Sequence, residues 1–284
     1  GHDKNHAAAK RAHKSGCVDR TEWNLISACD GADLVVISIP ISGIQSTLAA
    51  IAQDLKKGCV VTDTASLKAP VLNWARESLP GTVHLVGGHP IVERCPDPPD
   101  PAADLFAGAI YCLTPSTDAP PEAIQAVSDL VAALGAKAYY LDAVEHDGLV
   151  AALEHTPLVL ALALQYMASR SPSSREMIRL CGLHFAGAMQ PLAGDAQDLT
   201  DLCTLNADNL VRWLDGFQVE LFKLRELVAN QDSGSLRESF ADALEMRAEW
   251  ARERLQGEAT DYGDFSMARV MFGGAFGSRR QEGK

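Results

Sequence analysis

The chain has 284 residues, 47% of them apolar and 22% charged, with a formal net charge of −12. That length is enough for one large or two ordinary domains with a sizeable core. The composition is that of a soluble globular protein, and the acidic balance argues against a nucleic-acid binder, which needs a basic surface.

An anionic substrate is not excluded, provided its pocket is locally basic. The seven cysteines, at 17, 29, 59, 95, 112, 181 and 203, are odd in number and show no C-x-x-C spacing. This argues against a disulfide framework or a metal site and for a reducing cytoplasm. No signal peptide opens the chain. Its longest apolar run, Leu158 to Leu164, falls well short of the ~20 residues of a membrane span and reads as a buried helix segment.

Gly1-His2-Asp3 leads into an Ala- and Lys-rich helix over Lys4 to Ser15, with Gly16 as its natural C-terminal cap. A second helical stretch covers Trp23 to Cys29, and Asp33 to Pro40 reads as a buried strand ending in a proline loop. Helix, helix, parallel strand is the middle of a doubly wound unit, not its beginning. In a dinucleotide-binding fold an acid closing the second strand holds the ribose, ~20 residues after a glycine-rich loop. Asp3 stands where that acid belongs; the alternative is a solvated residue at a terminus. No G-x-G-x-x-G occurs in the sequence, and Gly273-Gly274-Ala275-Phe276-Gly277 has the wrong spacing and no strand before it. The nucleotide-binding domain therefore reads as N-terminally incomplete, a fragment of a longer protein. The alternative is a form that no longer binds the dinucleotide well.

Ile44, Leu48, Ile51 and Leu55 recur at helical spacing. The apolar Val60-Val61 predicts a strand that delivers Thr62-Asp63-Thr64-Ala65-Ser66-Leu67-Lys68, and a helix follows over Pro70 to Ser78. A short strand, His84 to Val86, then delivers Gly87-Gly88-His89-Pro90 as a loop. Loops at the carboxyl ends of strands in an open α/β sheet are where ligands bind. One of these offers the Ser66 hydroxyl and the Lys68 ammonium, the other the His89 imidazole. Together they make a candidate active site, although a Ser or His at a strand end is otherwise a turn or cap residue.

Glu93 to Pro101 is rich in Pro and Asp and predicts a loop or lid. Strand Ala109 to Thr114, helix Pro121 to Leu134 and strand Ala138 to Leu141 complete the alternation. Beyond Asp142 the pattern is helical. Ala143 to Arg170 reads as one long helix kinked at Pro157. Asn206 is placed to cap a helix whose Leu210, Trp213, Leu214, Phe217, Leu221, Leu224 and Val228 form one apolar stripe, expected to be core. A charged helix spans Leu236 to Leu255, and residues 273–284 read as a disordered tail. The expected division is 1–142, 143–272 and that tail.

D-x-x-S-x-K over Asp63, Ser66 and Lys68, followed by G-G-H-P over Gly87 to Pro90, resembles the prephenate/arogenate dehydrogenase family of tyrosine biosynthesis. Leu105-Phe106-Ala107-Gly108 before the Ile110-Tyr111-Cys112-Leu113-Thr114-Pro115 strand is similar to the family's L-F-x-G and I-Y-x-L-T-P. His146-Asp147 and Glu154-His155-Thr156-Pro157 resemble its H-D and S-H-x-P. Phe185 through Asn206 matches F-R-D-L-T-R-I-A-S-G-D…N without a gap, with Gly194, Asp195, Asp201 and Asn206 in register.

The resemblance implies a Rossmann-like α/β domain, doubly wound on a parallel sheet, followed by an all-α dimerisation domain, and hence a homodimer. It implies NAD as cofactor, with NADP as the alternative, contacted at Asp3, Ile39, Pro40, Thr64 and Ala65. A carboxylate at Asp3 repels a 2′-phosphate and so favours NAD; the neighbouring Lys4 weakens that preference. The implied reaction is oxidative decarboxylation of prephenate or arogenate: a ring hydroxyl carbon gives up its hydride, carbon dioxide leaves and the ring becomes aromatic. His89 falls on the family's catalytic histidine, and an imidazole suits the task of taking the hydroxyl proton. Ser66 falls on the assisting hydroxyl. Lys68 and His155 fall on motif residues near the substrate; their alternatives are a solvated loop charge and a packed helical histidine.

Two departures stand out. The family's carboxylate-binding arginine falls on Gln190, which lacks the charged fork that pairs with a carboxylate; losing such a bond costs ~2 kcal/mol. The motif serine before His155 is Glu154, whose carboxylate would repel an acid if it faced the site. Arg94, Arg175 and Arg179 are candidate replacements for the missing cation. Gln190 and Glu154 keep two other functions open: a diverged dehydrogenase of another cyclic or hydroxy acid, and a catalytically idle dimeric binding or regulatory module.

Overall fold

The structure, a computed structural model, describes residues 1–92 and 102–257. The expected loop over Glu93 to Pro101, including Arg94, and the expected tail from Gly273 lie outside the described residues. The described chain divides into two compact units, Gly1–His146 and the residues from Asp147 onward.

In the first unit, helix α1 (His6–Lys14) starts at Asn5, whose side chain accepts from the backbone N–H groups of Ala7 and Ala8. It ends as the sequence predicts, with Gly16 in the left-handed region at φ 77°. Helix α2 (Leu25–Cys29) is capped by Asn24 in the same manner. Five strands follow: β1 (Leu34–Ile37), β2 (Val60–Asp63), β3 (His84–Ile91), β4 (Ile110–Pro115) and β5 (Lys137–Tyr140). Between them lie α3 (Ile41–Ile51), α4 (Ala69–Ser78) and α5 (Pro121–Ala133). Ile41, Ile44, Leu48 and Ile51 bury one face of α3, and Val127 and Val131 of α5 pack with Val86, Leu113 and Tyr111 of the sheet.

The five strands form one sheet in chain order, and β1, β2 and β3 are parallel. The sheet is mostly parallel, as expected, with β4 antiparallel to β3 and β5 parallel to β4. One expectation changes here: Gly87 to Pro90 is not a loop. Strand β3 pairs with β2 only as far as Val86 but continues against β4 to the Ile91–Ile110 pair, so the whole G-G-H-P stretch is strand. Hydrogen bonds from a partner some twenty residues later impose that extension, and local turn chemistry cannot announce it.

The second unit opens within α6 (Ala143–Val150), which runs through a π-helical turn (Ala151–His155) into α7 (Thr156–Ser169). The sequence predicts a kink at Pro157, and the wide turn is how the chain absorbs that proline. Pro157 has no N–H to offer and its ring crowds the preceding turn. The Thr156 N–H and hydroxyl both go to the Ala151 carbonyl, the hydroxyl at 2.7 Å. Residues Ala143–Ser169 are together long and apolar enough to cross a bilayer. Their buried His155, Thr156, Leu158 and Ala161, with the turn packed on a later helix, are features of a core helix. Helices α8 (Ser174–Leu180), α9 (Leu183–Met189), α10 (Ala196–Leu205), α11 (Ala207–Ala229) and α12 (Ser233–Gly257) follow.

Two further expectations are corrected here. Asn206 does not cap α11 with its side chain; its amide instead donates to the Asp147 carbonyl at 2.8 Å. Among the described residues the α11 stripe is not core. Only Leu210 is buried, while Trp213, Phe217, Leu221, Leu224 and Val228 are exposed. Helical periodicity reports an apolar face and is silent on whether its cover is the same chain or another.

Candidate active site

The two motif segments meet at the carboxyl end of β2. Asp63, the last residue of that strand, is wholly buried, and its carboxylate accepts from the backbone N–H of Ala65 at 3.0 Å and of Gly88 at 3.2 Å. The Lys68 ammonium bonds both to this carboxylate and to the Gly88 carbonyl. One carboxylate and one ammonium thus clamp Gly88 by its N–H and its C=O, immediately before His89. Neither glycine admits a side chain. A Cβ on Gly88 would lie 2.6 Å from the Asp63 carbonyl oxygen and 2.9 Å from the Tyr111 ring, and one on Gly87 would collide with the Thr114 hydroxyl.

This corrects the expectation for Lys68, which is neither a solvated charge nor placed to bind substrate from solvent. It is fully buried and orders the backbone that carries His89. Tyr111, beside the clamp, has its phenol pushed up to about 12, first by burial and then by the Asp63 charge.

His89 is 7% exposed. Its Nδ1 lies 3.1 Å from Nε2 of His146, with the rings edge to face and centroids 5.2 Å apart. His146, whose H-D motif gives it no role in the sequence, thus joins His89. Ser66 is half-buried in the connection between β2 and α4.

The cofactor candidates gather on the neighbouring edge. Ile39 and Pro40 follow β1 and are exposed, while Thr64 and Ala65 follow β2 and are half-buried. The Thr64 hydroxyl donates to that of Ser38 at 3.2 Å, and the Thr64 N–H to the Ile37 carbonyl at 3.2 Å, which ties the two connections together. Asp3 is exposed, and its carboxylate accepts from the Asn5 N–H at 2.7 Å in the turn before α1. A separate cleft of about 640 Å³, lined by Arg76, His84 and Asp118 among others, contains none of the candidate residues.

In the second unit, His155 is buried in the π-helical turn, and its Nδ1 lies 3.4 Å from the Asn206 amide nitrogen. That amide is oriented by the Asp147 carbonyl it donates to, and its oxygen accepts from Asn209 at 2.9 Å. Nδ1 of neutral His155 is therefore the acceptor, and its proton sits on Nε2. Glu154, beside it, is half-buried, and burial pushes its carboxyl up to about 7. Near neutrality it is partly uncharged. Gln190 follows α9 and is exposed, as are Arg175 and Arg179 of α8.

Residues 1–140 match the family model described as "Prephenate dehydrogenase, nucleotide-binding domain", and residues 142–242 match "Prephenate dehydrogenase, dimerization domain". The chain belongs to the prephenate dehydrogenase family. Among relatives, it is 30% identical to a cyclohexadienyl dehydrogenase of Zymomonas mobilis over 87% of this chain and 85% of that protein. It is 27% identical to a prephenate dehydrogenase of Lactococcus lactis over 83% of this chain and 66% of that protein. A prephenate dehydrogenase of Aquifex aeolicus, solved with hydroxyphenyl propionate and NAD+, shares the fold at a TM-score of 0.78 and 22% identity, covering 88% of this chain and 87% of that one. Within the family, the first unit carries the nucleotide-binding domain and the second the dimerisation domain, so both architectural expectations stand.

Proposed function

We propose that the protein is an NAD-dependent dehydrogenase that oxidatively decarboxylates prephenate or arogenate, with His89 as the base that takes the ring hydroxyl proton. The observation that carries this reading is the construction around His89. A buried ion pair and two obligatory glycines fix the backbone of a buried imidazole whose Nδ1 is engaged by a second imidazole. Such an investment in one side chain's position is what general-base catalysis requires, and it stands at the sequence position of the family's histidine.

Ser66 assists at the same strand end. His155, held as an Nε2–H donor, binds the substrate, and Gln190 occupies the place of the carboxylate-binding arginine. The residues at the carboxyl ends of β1 and β2 fit the nicotinamide half of a dinucleotide. Exposed Ile39 and Pro40 offer an apolar shelf beside Thr64 and Ala65, and Asp3 serves the adenosine ribose. When bound, the dinucleotide supplies the hydride acceptor; binding, orientation and proton removal fall to the protein's own side chains. The protein works as a homodimer through its second unit. Cysteines outside any disulfide, such as Cys29 and Cys59, accord with the cytoplasm.

The test is NAD reduction by the full protein with prephenate and arogenate offered separately. Turnover with either is the expected result and names the substrate. NAD binding without turnover on both would overturn the assignment.

A further inference from the structure

We propose that His146 is a positioning residue for the catalytic base: its Nε2 accepts the Nδ1–H of His89 and so holds His89 in the tautomer whose Nε2 takes the substrate proton. This rests on the reading of His89 as that base.

The geometry constrains the protons closely. The two nitrogens are 3.1 Å apart in a buried setting, so one ring donates and the other accepts. If His146 donated, neutral His89 would carry its remaining proton on Nε2 and could not act as a base there. If His89 donates, its Nε2 keeps a lone pair, and the proton of His146 sits on its own Nδ1. Only the second arrangement lets His89 accept a proton from the substrate hydroxyl. In that step the O–H bond breaks, its proton goes to Nε2, and His89 becomes an imidazolium. The Nδ1–H···Nε2 bond is then charge-assisted and stronger than in the resting state. His146 therefore stabilises the product of proton transfer more than the reactant, which is the form that catalytic assistance takes.

The charged groups beside this strand have bonds of their own. On the β2 side of the strand, Asp63 and Lys68 bond to each other and to the Gly88 backbone. Across on β4, His89 pairs with Cys112, and Pro90 with Tyr111, whose phenol is neutral throughout the working range. His146 comes from α6, and its ring reaches His89 edge-on.

The experiment compares His146→Phe, His146→Gln and His89→Asn in the full protein, with kcat and KM measured across pH. It is accompanied by long-range nitrogen–proton NMR of the histidine rings in the unaltered protein. His146→Phe is expected to lower kcat by about tenfold to a hundredfold with KM little changed. Its acidic limb should move to lower pH by about one unit, because the His89 imidazolium has lost its acceptor. The side-chain oxygen of Gln can accept the same N–H, so His146→Gln should recover most of the rate. The spectra should show the His89 proton on Nδ1.

An Nε2–H tautomer for neutral His89 overturns the proposal whether or not the variants fold. So does a His146→Phe enzyme with the parent's kcat and pH profile while His89→Asn is inactive. Turnover surviving in His89→Asn would instead overturn the base assignment itself, and this proposal with it.

Discussion

The Lys68 ammonium is bonded to the Asp63 carboxylate, and both side chains are wholly buried. Two charges removed from water each carry a desolvation penalty of several kcal/mol. The pair is tolerated because its members are also satisfied by the Ala65 and Gly88 N–H groups and the Gly88 carbonyl. Lys68→Met leaves the carboxylate buried and unpaired and should lower unfolding stability by about 3–5 kcal/mol. Adding Asp63→Asn removes the orphaned charge and should restore part of that loss. Urea denaturation of both variants tests the coupling; equal stabilities would mean that the pair is not the clamp described here.

Gly88 ties this clamp to the backbone that carries His89. A methyl there would lie 2.6 Å from the Asp63 carbonyl oxygen, a backbone atom that cannot rotate away. Gly88→Ala should therefore displace β3 itself, destabilising the protein by about 1–3 kcal/mol. Because His89 is the next residue, kcat should fall further than the stability change accounts for. Measuring kcat well below the melting temperature separates the two. A destabilised variant with normal kcat would show that His89 does not depend on this register.

Glu154 gives the second unit a pH signature. Its carboxyl titrates near 7 in the folded protein against an ordinary value of 4.5. The folded state thus binds a proton that the unfolded state has released, and stability falls as pH rises from about 4.5 to 7. Glu154→Gln should leave stability at pH 4 unchanged and raise it at pH 8. The gain should be about 1–2 kcal/mol once partial exposure is allowed for. Denaturation midpoints at the two pH values decide it; an equal shift at both would place the effect in packing.

The alternation of strands and helices, the cap at Gly16, and the meeting of the Asp63–Lys68 and Gly87–Pro90 segments were all legible, because each follows from local periodicity, turn chemistry or the rule for strand ends in an open sheet. What escaped depends on partners distant in the chain. Gly87 to Pro90 is strand only because β4 pairs with it. Lys68 is buried only because Asp63 and Gly88 receive its charge. His146 looks like any polar residue in the first turns of a helix. Nothing in its neighbourhood announces a ring contact with a residue 57 positions earlier. The H-D pattern was the one available signal, and it carried no geometry.

The α11 stripe shows an apolar face that periodicity predicts without saying what covers it. Trp213, Phe217, Leu221, Leu224 and Val228 leave an apolar ridge open on a single chain, in a unit that matches a dimerisation domain. Exposed ridges of this kind mark interfaces, and covering it with a second copy would remove most of that apolar area from water. Leu221 is 53% exposed, so an aspartate there disturbs little in the isolated chain. Within a dimer the same carboxylate would be buried without a partner, a loss of several kcal/mol across two copies. Leu221→Asp should therefore convert a dimer to a folded monomer in sedimentation equilibrium, with its helical circular dichroism largely retained. A variant that remains dimeric at micromolar concentration would place the interface on another face of the second unit.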